Sequence, residues 1–64
     1  MGNLGENLRA TRIELELTQE QLSQRCGVQA GEISRIETGK RDPQVSTVLK
    51  IAAGLGVKPG QLLD

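Results

Sequence analysis

The side chains of this sequence that have chemistry to offer are cations rather than nucleophiles. Arg35, Lys40 and Arg41 fall within a span of seven residues, opposed by Glu32 and Asp42. Clustered guanidinium and ammonium groups bind polyanions, and the counterions they release make such binding strongly salt-dependent. Catalysis has no comparable footing. The 64 residues include no histidine and a single cysteine, Cys26, so there is neither a nucleophile–base pair nor a set of metal ligands. The carboxylates are scattered over helix surfaces and caps. Neither an enzyme nor a cofactor is expected.

Composition narrows the choice further. Eight basic residues balance eight acidic ones, so a nucleic-acid partner must be argued from where the charges sit. There is no Phe, Tyr or Trp, which removes the aromatic stacking that single-stranded DNA and RNA binding lean on. No apolar run approaches a membrane span and the N-terminus lacks a signal-peptide core, so the chain reads as soluble and cytoplasmic. A lone cysteine forms no internal disulfide and suits a reducing compartment. A chain this short makes one domain, residues 1–64, held by helix packing with or without a partner chain.

Glycine and proline divide the chain into short helices. Leu4, Leu8, Thr11 and Leu15 recur at helical spacing and predict an amphipathic helix from 4 to about 15, with Glu6 in its first turn. Thr18-Gln19-Glu20-Gln21 matches a capping box and opens a second helix, in which Leu22 and Cys26 share a face. Gly27 stands where that helix needs a left-handed residue. A third helix is expected from Gln29 to Thr38 with Ile33 and Ile36 inward, stopped by Gly39. After the polar loop Lys40–Pro43, a fourth is expected from Gln44 to Gly54 with Val45, Val48, Leu49, Ala52 and Leu55 on one face. A final turn from Lys58 carries Leu62 and Leu63. With no strand pattern, the fold is expected to be all-α.

A short helix, a glycine turn and a second short helix form a device for presenting the second helix outward, and in its DNA-binding version that helix enters the major groove. The device needs a small residue at the helix crossing, a glycine at the turn and apolar locks onto the body. Ser23, Gly27 and the set Leu22, Cys26, Val28, Ile33 and Ile36 supply them. Cys26 is read as a small core residue.

In this order and spacing, Thr18–Leu22, Cys26-Gly27-Val28, Ile33–Arg41 and Pro43, followed by Leu49–Ala52, Leu55-Gly56-Val57 and Leu62-Leu63, resemble the Cro/C1-type (XRE-like) helix-turn-helix family of phage repressors and bacterial regulators. The likeness covers nearly the whole chain. It implies a compact bundle of five short helices with a lambda-repressor-like helix-turn-helix at about 18–38, and a sequence-specific, repressor-like regulator of double-stranded DNA.

The resemblance also implies roles for individual positions. Arg12 and Glu37 take the place of an internal ion pair, with Arg12 near the DNA backbone. Thr18 and Gln19 stand where the head of the second helix meets a phosphate, an arrangement that helix N-termini favour. Thr38, Lys40 and Arg41 match a phosphate-binding loop. Base reading falls to Ala30, Gly31, Ser34 and Arg35, with Arg35 the natural partner of a guanine. The sequence departs from the family at Ala30 and Gly31, which offer no side-chain hydrogen bond, at Gln29, a weak cap, and at Glu16, where glycine is common and strain is expected. Four cations give a salt slope of roughly −3 to −4 per domain, weak for a monomer, so a homodimer on a palindromic operator is expected. Leu62 and Leu63 are the expected self-contact. The alternative is a protein-interaction module of the same fold, or an antitoxin that binds both DNA and a protein, motivated by the neutral charge and the Ala30-Gly31 pair.

Overall fold

A computed structural model describes residues 3–63 as five helices: α1 (Leu4–Glu14), α2 (Gln19–Cys26), α3 (Ala30–Glu37), α4 (Val45–Leu55) and α5 (Pro59–Leu63). No strand occurs among the described residues. Local sequence accounts for most of the boundaries. At α2 the Thr18 hydroxyl accepts from the Gln21 N–H at 3.0 Å, and the Thr18 N–H donates to the Gln21 side-chain oxygen at 2.9 Å, closing the capping box. Gly27 ends α2 with φ at +75°, the left-handed conformation open to a residue without Cβ. Gln29 and Thr38 flank α3 as its caps rather than lying inside it, and Gln29 makes no side-chain cap bond.

The helices bury one continuous cluster. α1 packs on α3 and α5, α2 on α3 and α4, and α4 on α5. Leu8, Leu22, Ile33, Ile36, Ile51 and Leu62 are fully enclosed, each contributing about 2 kcal/mol of transfer free energy. Leu4, Leu17, Cys26 and Val57 pack against this cluster from its margin, so Cys26 is half-buried rather than sealed. Two close approaches require glycine. A Cβ on Gly5 would collide with the Ile36 carbonyl oxygen, and one on Gly54 would lie 2.7 Å from the Cys26 Cβ.

Three residues expected inward, Leu15, Val45 and Leu49, are exposed, and one expected at a self-contact, Leu62, is buried. Leu15 is 45% exposed, because α1 ends at Glu14 and the chain turns there, handing the inward position to Leu17. On α4 the buried stripe is Val48, Ile51, Ala52 and Leu55, while Val45 and Leu49 are 75% and 51% exposed. The stripe shares Val48, Ala52 and Leu55 with the expected face and is rotated from it by roughly 50°, half the angle between successive residues, which brings Ile51 in and turns Val45 and Leu49 out. Leu62 is a core residue and is not available for a self-contact, whereas Leu63 is exposed.

The turn after α1 is strained at the position the sequence marks. Glu16 is the one non-glycine residue with positive φ, +57°, among the described residues. Its N–H donates to the Ile13 carbonyl at 2.9 Å and the Leu17 N–H donates to the Arg12 carbonyl at 3.0 Å, which locks the left-handed stop in place. A side chain there costs about 1 kcal/mol. Because Glu16 is exposed, Glu16→Gly should raise the thermal midpoint by roughly 4–8 °C per kcal/mol regained in a domain of this size. A circular-dichroism melt checks this; an unchanged or lower midpoint would show that the turn carries no strain.

Candidate nucleic-acid interface

The C-terminal end of α3 is anchored by one carboxylate. Arg12 of α1 donates through Nε to Glu37 Oε2 at 2.7 Å and through Nη2 to Oε1 at 3.0 Å. Its remaining terminal nitrogen, Nη1, donates to the Leu17 carbonyl at 2.7 Å. Gln19, the first residue of α2, adds a bond from Nε2 to Glu37 Oε1 at 3.1 Å. The two charged side chains are 11% and 3% exposed, so both charges are largely withdrawn from water. Through Glu37, at the end of α3, the turn after α1 and the head of α2 are tied to that helix.

This environment raises the Arg12 pKa, chiefly through its hydrogen bond to Glu37, with burial opposing and Coulomb attraction to Glu37 adding to the rise. A raised pKa contributes stability that is fully present below the unfolded value. It is lost only as pH climbs through the folded value, far into alkali, so Arg12 stays charged wherever the fold is stable.

α3 presents its residues on two sides. Ile33 and Ile36 face the core, and Ala30, Gly31, Ser34 and Arg35 share the opposite flank at i, i+1, i+4 and i+5 spacing. Gly31 and Arg35 are exposed, and Ala30 and Ser34 are half-buried. Arg35 lies back along the helix, with Nη1 3.7 Å from where a Gly31 Cβ would stand. Thr38 ends α3, its hydroxyl donating to the Ser34 carbonyl at 3.0 Å and also lying 3.3 Å from that of Arg35. Lys40 and Arg41 follow on the exposed loop, and the exposed Thr18 stands at the head of α2.

Not every candidate residue shares this surface. Arg12 lies inside, and the Gln19 amide is engaged by Glu37, which leaves the backbone N–H groups at the head of α2 as that element's outward donors. Three polar contacts have no signature in the hydrophobic pattern. Asn7 donates to the Leu62 carbonyl at 2.9 Å and ties α1 to α5; Gln19 braces Glu37; Glu32 pairs with Arg35 and Arg41. Among the described residues no cluster of three His, Cys, Asp or Glu side chains is placed to hold a metal, and no helix is long and apolar enough to cross a membrane.

A helix anchored at its C-terminal end, with an exposed polar flank, a basic loop behind it and a capped helix head beside it, defines a helix-turn-helix domain of the kind found in transcription regulators. The chain belongs to the helix-turn-helix family, whose model matches residues 8–62. It is 48% identical over 58 residues to the HTH-type transcriptional repressor RghR of Bacillus subtilis, covering 89% of this chain and 43% of that protein. It is 36% identical over 61 residues to the control protein C.BamHI of Bacillus amyloliquefaciens, covering 94% of this chain and 75% of that one. The crystal structure of the restriction-modification controller protein C.AhdI from Aeromonas hydrophila superposes with a TM-score of 0.91 at 30% identity, over 94% of this chain and 91% of that one. This chain thus spans less than half the length of RghR.

The anchor makes a stability prediction. Glu37→Ala leaves the Arg12 charge buried without its partner and should cost about 3 kcal/mol, a large share of the stability of so small a domain. Arg12→Met combined with Glu37→Met should recover part of that loss, because neither charge then remains alone. Urea melts of the three proteins check this; a single variant as stable as the wild type would show that the pair does not hold the fold.

Proposed function

We propose that the chain binds double-stranded DNA as a repressor-like transcription regulator of the cytoplasm, with α3 in the major groove. The observation that carries this reading is the juxtaposition of Arg35 on the open flank of α3 with Lys40 and Arg41 on the loop behind it, beside the head of α2. Arg35 reads a base, guanine being its natural bidentate partner. Ala30 offers a methyl surface to thymine, Gly31 lets the backbone approach, and Ser34 adds a short hydroxyl. Lys40, Arg41 and Thr38 with the head of α2, Thr18 and Gln19, bind phosphate and fix the register. Arg12 acts on the DNA through Glu37, by setting the angle of α3.

Size favours two copies. The domain measures 27 Å along its longest axis, while the half-sites of a palindrome lie about 34 Å apart, so two domains side by side fit where one cannot span. The self-contact then uses Leu63, 52% exposed at the end of α5, together with the unburied Val45 and Leu49 of α4. A second reading, a protein-binding module or an antitoxin that joins DNA to a protein, draws on the same exposed apolar residues and on the zero net charge.

Selection of duplexes from a random pool tests the reading. The wild type should enrich a palindromic motif at low salt, and Arg35→Ala should lose one base preference in each half-site. Lys40→Ala should weaken binding to all sequences alike and reduce the salt slope by about 0.9 per domain. No enrichment at low salt would favour the protein-binding module. The dimer has its own check: Leu63→Glu should shift the species seen in sedimentation toward the monomer and weaken operator binding, and an unchanged sedimentation coefficient would place the contact elsewhere.

A further inference from the structure

Two cations assigned to DNA are not solvated alone. Glu32, in the first turn of α3, meets both with separate carboxylate oxygens: Oε2 is 3.0 Å from Arg41 Nε, and Oε1 is 3.8 Å from Arg35 Nη1. The arginines are 60% and 61% exposed while the Glu32 side chain is 23% exposed, so the carboxylate sits beneath and between them. Arg35 reaches this place by folding back over Gly31, with Nη1 3.7 Å from where a Cβ would stand, an ordinary van der Waals contact. One carboxylate on the reading helix therefore joins a residue proposed to read a base with one proposed to grip a phosphate.

We propose that Glu32 restrains Arg35 and Arg41 in the free protein, and that DNA must displace it from both before they can bind. The proposal rests on the function proposed above. A duplex of any sequence presents phosphates, but to engage them both arginines must leave a carboxylate that then faces the polyanion without a partner. The cost is the same on every sequence, so it lowers selected and random affinity by the same factor and leaves their ratio to the bidentate contact that Arg35 makes only where the right base is present. Glu32 thus sets how tightly the chain holds DNA, not which sequence it prefers.

The test compares the full chain with Glu32→Gln, which keeps side-chain length and removes the charge. Fluorescence anisotropy is read on two labelled duplexes across a salt series, one of random sequence and one carrying the motif selected by the wild type. Affinity of Glu32→Gln for the random duplex should rise by roughly three- to tenfold, the range set by releasing two exposed ion pairs. Affinity for the selected duplex should rise by a similar factor, leaving the ratio unchanged, and the salt slope on random DNA should steepen by about 1, one further phosphate contact. The Arg41 Nε–H resonance of the free protein, a readout that fold stability alone does not move, should shift and exchange faster in Glu32→Gln. Unchanged affinity for both duplexes, beside a wild type that binds its motif, overturns the restraint and leaves the DNA reading standing. A folded Glu32→Gln that loses both affinities also overturns it, since Glu32 would then contact DNA directly. A wild type that binds no duplex ends the functional reading itself, and the proposal with it.

Discussion

Three positions of the chain converge on the side chain of Glu37 and its partner Arg12: α1 sends the guanidinium, the following turn offers the Leu17 carbonyl, and α2 begins with the Gln19 amide. Burying a charge is costly unless it is both paired and hydrogen-bonded, and here all three nitrogens of the guanidinium and both oxygens of the carboxylate are engaged. That requirement holds the end of α1 and the head of α2 against the last turn of α3. Apolar contacts are non-directional, whereas a bidentate ion pair braced from two sides also sets an orientation, here that of α3 against its neighbours.

Charge is placed rather than amassed. Net charge is zero, and Arg35, Lys40 and Arg41 lie on α3 and its loop together with Glu32, Glu37 and Asp42, while Arg9 and Arg25 share α1 and α2 with Glu6, Glu14 and Glu20. Glu37 is consumed in the interior and Glu32 is placed among the arginines. What this surface offers a polyanion therefore depends on the arrangement of a few charges rather than on their sum.

How much of this was legible in the sequence depended on whether the signal was local. The capping box at Thr18 and the glycine stop at Gly27 were readable, because each is set by two to four neighbouring residues, whereas the strain at Glu16 was expected only from family likeness. Ile33 and Ile36 were readable because α3 carries few other apolar residues. The face of α4 was not. Val45, Val48, Leu49, Ile51, Ala52 and Leu55 contain two overlapping helical stripes, and periodicity alone does not say which meets α2. Leu15 and Leu62 were misplaced for a related reason: at a helix end, a single turn of chain decides which of two neighbouring leucines enters the core. The Arg12–Glu37 pair spans 25 residues and no local pattern implies it; it was expected from family likeness. The roles of Asn7 and Gln19, amides that satisfy tertiary bonds, carried no sequence signal at all.

The most direct test of the account is to add duplex DNA to isotope-labelled protein and follow the backbone amides by NMR. The account predicts that the largest shifts gather at Thr18–Glu20, along Ala30–Arg35 and over Thr38–Arg41, with the enclosed residues Ile51 and Leu62 nearly still. Shifts centred instead on Val45, Leu49 and Leu63, with α3 unaffected, would contradict it and make the open apolar surface, not the reading helix, the site of recognition.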